Sequence, residues 1–505
     1  MYSLTIVLMK TIIGIDNGTQ STKVLFYNFE NKKVEAVASA PHDIIADQDG
    51  TREQKAEWWI DALKSAMSKV DPAIRKTAVA VGVSGQQHGF VPLDAAGEVL
   101  YNVKLWNDTS TAEECEVITR DFGGNERLLA ETGNLVMPGY TIGKVAWLKN
   151  HRPEEYKRLA TILLPHDYLN FFLTGKRVME YGDASGTGFL DIRTRTWSKR
   201  LLSVVDPGRD LSMCLPELVS ADTCIGTVTS AAAEALGIPA GIPVSTGGGD
   251  NMMGAIGTGT VSGGVLTMSL GTSGTLYGYS DVPVIDNDGL IAAFCSSTGG
   301  WLPLVCTMNC TVATELVRGL FDMSIEDMEG AAKAAGIGAS GVTILPFFNG
   351  ERTPSLPKGK GCIMGLDAVN YTKQNLVRAS MESAIFGLKG AIDSFVRLGF
   401  SPKQIRLIGG GSKSALWRQI AADVTGFDIV VPENGEAAAL GGALQALWML
   451  KSSAGETVSM KQICDDHVKL ADGMIHHPDP ESVKKYKSVY AEYEKYLGSV
   501  RELFR

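Results

Sequence analysis

Cationic charge is in the minority in this chain: 47 Lys plus Arg stand against 56 Asp plus Glu, a formal net charge of −9 over 505 residues. Nucleic acid and anionic membranes both demand a cationic surface that displaces counterions, so neither partner is expected. Cysteine is scarce as well. The eight present, at 115, 214, 224, 295, 306, 310, 362 and 464, include no C-x-x-C pair. This excludes a dense disulfide framework and reads as buried thiols in a reducing compartment, the cytoplasm. The longest uncharged runs, Asn251–Ser280 and Gly289–Thr314, are filled with Gly, Ser, Thr and Asn, too polar to enter a bilayer. Met1–Met9 has a short apolar patch with no basic leader or cleavage site, so no export signal is expected, and Met9 serves equally well as a natural start.

The usual nucleotide and metal motifs are missing too. No G-x-x-x-x-G-K-[ST] occurs, no G-x-G-x-x-G opens a helix after a strand, and no H-E-x-x-H is present. His166-Asp167 is superficially like a protein-kinase catalytic loop but lacks its spacing and the other kinase elements. Asp286-Asn-Asp-Gly289 is too short for a calcium loop and reads as a turn. With 45% apolar and 20% charged residues, the composition is globular. At about 150 residues per domain it fills roughly three domains, or two large ones.

Glycine is what the chain has in excess: 56 residues, about 11% against an average near 7%. The glycines gather after apolar runs, at Asp16-Asn-Gly-Thr19, Gly247-Gly-Gly-Asp250, Ser269-Leu-Gly-Thr272 and Gly409-Gly-Gly-Ser412. Each reads as a strand opening into a turn whose backbone N–H groups can approach a ligand without Cβ interference. Ile15–Thr22 matches Met268–Thr275 position by position at an offset of 253 residues, half the chain. Two similar halves, each with a phosphate-type hairpin facing a shared cleft, explain the offset; chance likeness between Gly/Thr turns is the plain alternative. Lys23–Phe29 and Val34–Ala40 are strand-like around Glu30–Lys33, so a hairpin follows the first turn.

Two longer segments carry a family resemblance: Gly139-Tyr-Thr-Ile-Gly-Lys144-Val-Ala-Trp147-Leu-Lys-Asn150, and Gly361-Cys-Ile-Met-Gly365-Leu366 continuing to Asn375-Leu-Val-Arg-Ala-Ser-Met-Glu382. In order and correctly spaced around the Gly turns, they resemble the signatures of the FGGY carbohydrate kinases, over roughly residues 10–450. The resemblance implies an α/β, two-lobed actin-like ATPase (ribonuclease H-like) fold with duplicated domains around a central cleft. It also implies ATP-dependent phosphorylation of a sugar or polyol, with Mg²⁺ on the donor phosphates.

The resemblance then assigns roles. The first phosphate loop holds Gly18, Thr19 and Gln20, the second Gly271 and Thr272. Gly410, Gly411 and Ser412 form the adenosine-contacting turn, and Asn434 lies in a further loop near the nucleotide. Asp250 is the expected general base, with a cap on the following helix as the alternative. Asp16 is expected to act through Mg²⁺ by way of its bound waters, since a carboxylate beside phosphates needs a cation between them; a turn-forming Asp is the alternative. Gln87-His88 stands where the D-xylulose-phosphorylating members contact the ketose, and Asn251 is a second hydroxyl contact. Trp106 and Asp108 resemble the segment that lines the sugar pocket, although Trp106 could be plain core. Ser110 departs from the family's usual Arg, which leaves ribulose, glycerol or a sugar acid open beside D-xylulose. A non-catalytic actin-like nucleotide-binding regulator is the reading from another class, and the retention of Asp16 and Asp250 argues against it.

Organisation follows from texture. Residues 1–255 form a first lobe with the sugar site, 256–450 a second lobe with the nucleotide, and 451–505 a helical extension packed on the second lobe. Small residues over 253–262 suit a hinge. Val483, Tyr486, Tyr490, Tyr493 and Leu497 recur at helical spacing behind Asp479-Pro480. This amphipathic helix docks on its own lobe or forms a homodimer contact.

Overall fold

The computed structural model describes residues 9–504; the leader and start expectations for Met1–Met9 fall almost wholly outside them. Two sheets organise the chain. The first contains β1 (Thr11–Asn17), β2 (Ser21–Asn28), β3 (Lys33–Pro41), β4 (Ala78–Gly85), β5 (Cys224–Thr227), β6 (Pro243–Ser245) and the short β7 (Gly248–Gly249). Its order is β5-β6-β4-β1-β2-β3, with β7 also pairing with β4. The second contains β8 (Val265–Leu270), β9 (Gly274–Gly278), β10 (Leu304–Thr307), β11 (Gln404–Ile408) and β12 (Asp428–Val430). Its order is β10-β9-β8-β11-β12.

Direction as well as order repeats. β1 runs antiparallel to β2 and parallel to β4, and β8 runs antiparallel to β9 and parallel to β11. The outer pairings match too: β2 with β3 and β9 with β10 are antiparallel, while β4 with β6 and β11 with β12 are parallel. The strand residues explain the central positions. Thr11–Ile15 is an unbroken buried run, as a strand covered on both faces requires.

Helices α1 (Asp250–Thr258) and α4 (Ala437–Ser453) cross between the lobes. They touch almost backbone to backbone: a Cβ on Gly257 would meet the Ala437 carbonyl at 1.8 Å, and one on Gly441 the Met253 carbonyl at 1.8 Å. α4 also lies on the first sheet, where a Cβ on Gly14 would meet the Ala439 carbonyl at 1.8 Å. The same packing bears on 253–262, the stretch whose small residues suit a hinge. Its first six residues are helical; Gly257 allows the close approach of α4, and Gly254 leaves room for the Tyr277 hydroxyl, 2.8 Å from where a Cβ would stand.

The segment after residue 450 divides. α5 (Met460–His467) packs on α1 and α4, and His467 Nδ1 lies 2.8 Å from the Tyr27 hydroxyl of the first lobe. α6 (Pro480–Val500), started by its Asp479 cap, lies on α2 (Lys373–Arg397) and α3 (Ala415–Thr425). A buried ion pair fastens it: Arg378 Nε is 2.7 Å from Glu382 Oε1, and the Tyr486 hydroxyl donates to the same oxygen at 2.8 Å. The second signature segment therefore serves the packing of this lobe, and the Tyr486 and Tyr493 side of α6 is used within the chain. The thiol expectation needs one correction. Five cysteines are buried, but Cys224 is exposed at the edge of the first sheet and Cys306 and Cys362 are partly open. Among the described residues, no helix is long and apolar enough to cross a membrane.

Candidate active site

The strand register brings two carboxylates together. β4 lies between β1 and β7, pairing Ser84 with Asp16 on one side and with Gly248 on the other. Asp250 follows β7 by one residue, so it and Asp16 leave the sheet at the same end, one strand apart, or about 10 Å between backbones. Asp16 Oδ1 accepts from Ser84 Oγ at 2.9 Å. The turn before Asp250 is tight: Gly247 has φ +68°, and a Cβ there would meet the Val83 carbonyl at 2.2 Å. Gln445 of α4 clamps this glycine, its Oε1 accepting from Gly247 N at 2.7 Å and its Nε2 donating to Gly247 O at 2.9 Å.

Asp250 opens helix α1 but does not cap it in the ordinary way. Its Oδ1 accepts from the N–H of the very next residue, Asn251, at 2.8 Å and from Asn251 Nδ2 at 3.0 Å. Burial, then the charges of Asp16 and Asp183, push its pKa up to about 8 against these hydrogen bonds. Asp16 is raised as well, chiefly by burial, with the Ser84 hydroxyl and Lys23 opposing. Two carboxylates that resist ionising side by side are a poor structural device and a good seat for a proton acceptor and a cation.

In front of Asp250 opens a cavity of about 290 Å³. Thr19, Gln87, His88, Trp106 and Asn251 line it from the first lobe, and Ser269 and Gly271 from the second. Trp106 Nε1 donates to Thr19 Oγ1 at 2.9 Å, tying the indole to the first turn. His88 sits at φ +64°, a left-handed conformation unusual for a side-chain-bearing residue. Its carbonyl is held by Lys144 Nζ at 2.5 Å and Thr141 Oγ1 at 3.1 Å, which gives the first signature segment its physical task. Burial, with Lys144 and Arg352 nearby, lowers the His88 pKa well below the histidine value, so the ring is neutral and able both to donate and to accept. The ring packs against Tyr140 and Phe294 at centroid distances of 4.7 and 5.6 Å.

Several residues stand elsewhere than expected. Asp108 is fully buried and turned from the cavity: its Oδ1 accepts from Ser110 N and Oγ, and its Oδ2 from Arg52 N. Lys104 Nζ completes this group, 3.3 Å from Asp108, 3.1 Å from Glu53 and 2.8 Å from Ser110 Oγ. Residue 110 thus belongs to a buried ionic knot and not to the sugar wall. Gln20 and Thr272 are exposed on the two turns, beside Gly18 and Gly271. Gly410, Gly411 and Ser412 form a single helical turn against Leu270, outside the cavity. Asn434 faces a different hollow, shared with Tyr27 and His467, and its Oδ1 caps Glu436 N at 2.8 Å.

Other site residues carried no local signal. Arg352 and Thr353 reach the cavity from the second half of the chain, and the Arg352 guanidinium makes no ion pair among the described residues. Phe294 arrives on a loop that crosses to the first lobe, where Ala293 exchanges two hydrogen bonds with the Asn134 side chain at 2.7 and 3.0 Å. Only the folded chain places these segments beside His88.

A duplicated sheet, a Gly-rich hairpin turn in each half and a half-buried carboxylate between them define a two-lobed, actin-like phosphotransferase. The match to known proteins is specific. Residues 11–257 fit the N-terminal domain of the FGGY family of carbohydrate kinases, and residues 266–450 fit its C-terminal domain. The chain belongs to this family and is an ATP-dependent carbohydrate kinase. A xylulose kinase from Haemophilus influenzae is 44% identical over 97% of this chain and 100% of its own length. A xyloylose kinase from Brucella ovis superposes with a TM-score of 0.89 at 28% identity, covering 98% of this chain and 100% of that one. A gluconate kinase from Lactobacillus acidophilus superposes equally well, at 0.89 and 25% identity over 98% and 99%. The fold by itself does not choose the sugar.

Proposed function

We propose that this kinase transfers the terminal phosphoryl group of ATP to D-xylulose, giving D-xylulose 5-phosphate. The observation that carries the reading is the single cavity that joins Asp250 to Gln87, His88, Trp106 and Asn251 on one side and to the Ser269–Gly271 turn on the other. The full-length likeness to a xylulose kinase supports the choice of sugar.

In this reading Gln87, His88 and Asn251 hold the ketose hydroxyls, and the neutral His88 ring serves vicinal hydroxyls as both donor and acceptor. Asp250 takes the proton of the attacking hydroxyl through Oδ2, the oxygen not committed to Asn251. A carboxylate poised at about 8 matches a base that works near neutrality. The turns around Gly18 and Gly271 offer backbone N–H groups to the donor phosphates from both lobes, and Gly410, Gly411, Ser412 and Asn434 lie towards the nucleoside. The carboxylates of Asp16 and Asp250 fit Mg²⁺, with Asp16 as the holder through water. Among the described residues, no group of three or more His, Cys, Asp or Glu side chains is arranged to hold a metal ion by itself. When bound, Mg²⁺ neutralises charge on the donor phosphates.

The same reading divides the chain into residues 1–255 and 256–450 as lobes with 451–505 as an extension, and places the enzyme in the cytoplasm, where ATP is made. A homodimer would have to use a face other than the Tyr486 and Tyr493 side of α6; light scattering decides it. Arg352 favours one second reading, because an uncommitted guanidinium in a sugar cavity suits a carboxylate. ADP release with Mg-ATP over ketopentoses, polyols and sugar acids, against a blank without sugar, tests both. Stimulation by D-xylulose above all others is expected. Preferred stimulation by a sugar acid overturns the ketose reading in favour of the Arg352 reading.

A further inference from the structure

Behind Gln87 lie four buried ionisable side chains that make no contact with the cavity: His166, Asp167, Glu180 and Asp183. His166 Nδ1 is 2.8 Å from Asp183 Oδ2, and its Nε2 is 2.9 Å from Asp167 Oδ1. Burial works against a charged imidazole, but the two carboxylates prevail and hold its pKa well above the ordinary histidine value. His166 is therefore an imidazolium between two carboxylates. The Pro165–Thr174 helix sets it at the end of β4, where a Cβ on Gly85 would meet His166 N at 2.7 Å.

The group reaches the base through one amide. Asp183 Oδ1 and Gln87 Nε2 are both buried and neither has a hydrogen-bond partner among the described residues; burial raises the Asp183 pKa, opposed first by His166 and to a smaller extent by the Gln87 amide. Both crowd Gly249, the residue before the base: a Cβ there would meet Gln87 Cδ at 3.0 Å and Asp183 Oδ1 at 3.1 Å. On its other side Gln87 Oε1 accepts from Asn251 Nδ2 at 2.8 Å, and Asn251 holds Asp250 Oδ1.

We propose that Asp183 and His166 are positioning residues that fix the orientation of the Gln87 amide and, through Asn251, the carboxylate of Asp250. A terminal amide has a donating and an accepting end. The Asp183 carboxylate can only accept from it, so the Gln87 oxygen is turned to Asn251, which then has its N–H groups for Oδ1 of the base and leaves Oδ2 to the hydroxyl. His166 keeps Asp183 ionised. If residue 183 were an amide, Gln87 could turn over and set NH₂ against NH₂ at Asn251.

The inference rests on Asp250 as the base of a sugar kinase, and the experiment keeps the two apart. Sugar and ATP kinetics are measured for the wild type, Asp183→Asn, His166→Gln, Gln87→Glu and the Asp183→Asn/Gln87→Glu pair, with D-xylulose as the probe. Asp183→Asn is expected to lower kcat about 10- to 100-fold, the scale of one misdirected buried hydrogen bond, with the KM for ATP unchanged. Gln87→Glu, a carboxylate against Asp183, falls likewise, and His166→Gln falls less. The pair should regain about tenfold over Asp183→Asn, because a carboxylate at position 87 accepts both from the amide introduced at position 183 and from Asn251. A merely structural role predicts no such rescue. A pair no more active than its worse parent, or wild-type kcat in Asp183→Asn, overturns the inference. Where Asp183→Asn fails to fold, wild-type kcat in Gln87→Glu does the same. Absence of sugar-dependent turnover in the wild type overturns the base assignment instead.

Discussion

The two Gly-rich turns proposed to hold phosphates are built on one plan and equipped differently. In both, a central strand turns antiparallel into its hairpin partner and runs parallel to a strand from later in the chain. In the first half Asp16 stands one residue before the strand's end, in register with Ser84, whose hydroxyl it accepts from. In the second half the equivalent position is Ser269, in register with the apolar Ile408. The backbone of the turn proposed to receive phosphates is thus duplicated, while the carboxylate occurs once. A second carboxylate at 269 would add repulsion towards the donor phosphates without serving the acceptor, whose proposed base and hydroxyl contacts all belong to the first lobe. Duplication supplied two like turns, and the side chains around them differ: the proposed acceptor contacts all stand on the first lobe.

The largest expected effect is at the proposed base. Asp250→Ala should lower turnover by about 10³-fold or more while ATP still binds, as seen by ADP release beside calorimetric titration. Undiminished sugar phosphorylation would remove Asp250 from the chemistry. Its titration gives the pH dependence its sign. The group must be ionised to accept a proton, and burial has raised its pKa to about 8. kcat/KM for the sugar in the free enzyme should therefore fall as pH drops below about 8, approaching tenfold per unit. Next comes the asymmetry itself. Asp16→Ser makes the first turn resemble the second and should cost about 10²-fold in kcat, with a raised requirement for Mg²⁺. An unchanged Mg²⁺ dependence would leave Asp16 a turn residue.

Smaller effects separate the sugar wall from its surroundings. His88→Ala should raise the KM for the sugar about tenfold, the worth of one well-made hydrogen bond, with little change for ATP. Equal KM values in variant and wild type would remove the ring from the pocket. Ser110→Ala should be the mildest, shifting sugar preference less than about twofold and lowering stability by about 1 kcal/mol in thermal denaturation, because its hydroxyl serves Lys104 and Asp108. A change of preferred sugar in that variant would return residue 110 to the specificity wall.

What could be read along the chain were features with local causes. Gly-Thr turns after apolar strands, the hairpin around Glu30–Lys33 and the helical spacing behind Asp479 follow from backbone freedom, side-chain alternation and capping within a few residues. The 253-residue offset carried that local reading to a duplicated fold, and the family resemblance supplied the reaction. Asp108 shows where adjacency misleads: two residues after Trp106, it turns the opposite way, because Lys104 requires buried counter-charges on that side.

The remainder depends on partners far apart in the chain. Gln445 clamps Gly247 from 198 residues away, Asn134 holds the Phe294 loop across 159 residues, and α4 rests on the sheet of the other lobe. No spacing rule marks such pairs. Each is selected by close packing around one shared core, where a glycine is needed because a backbone arrives there and a buried amide points as it does because a carboxylate stands on one side. Turns, strands and reaction class were written locally. The pocket wall exists only where the two halves meet, and the direction of Asp108 and the path from His166 to the base only where segments far apart within the first half pack together.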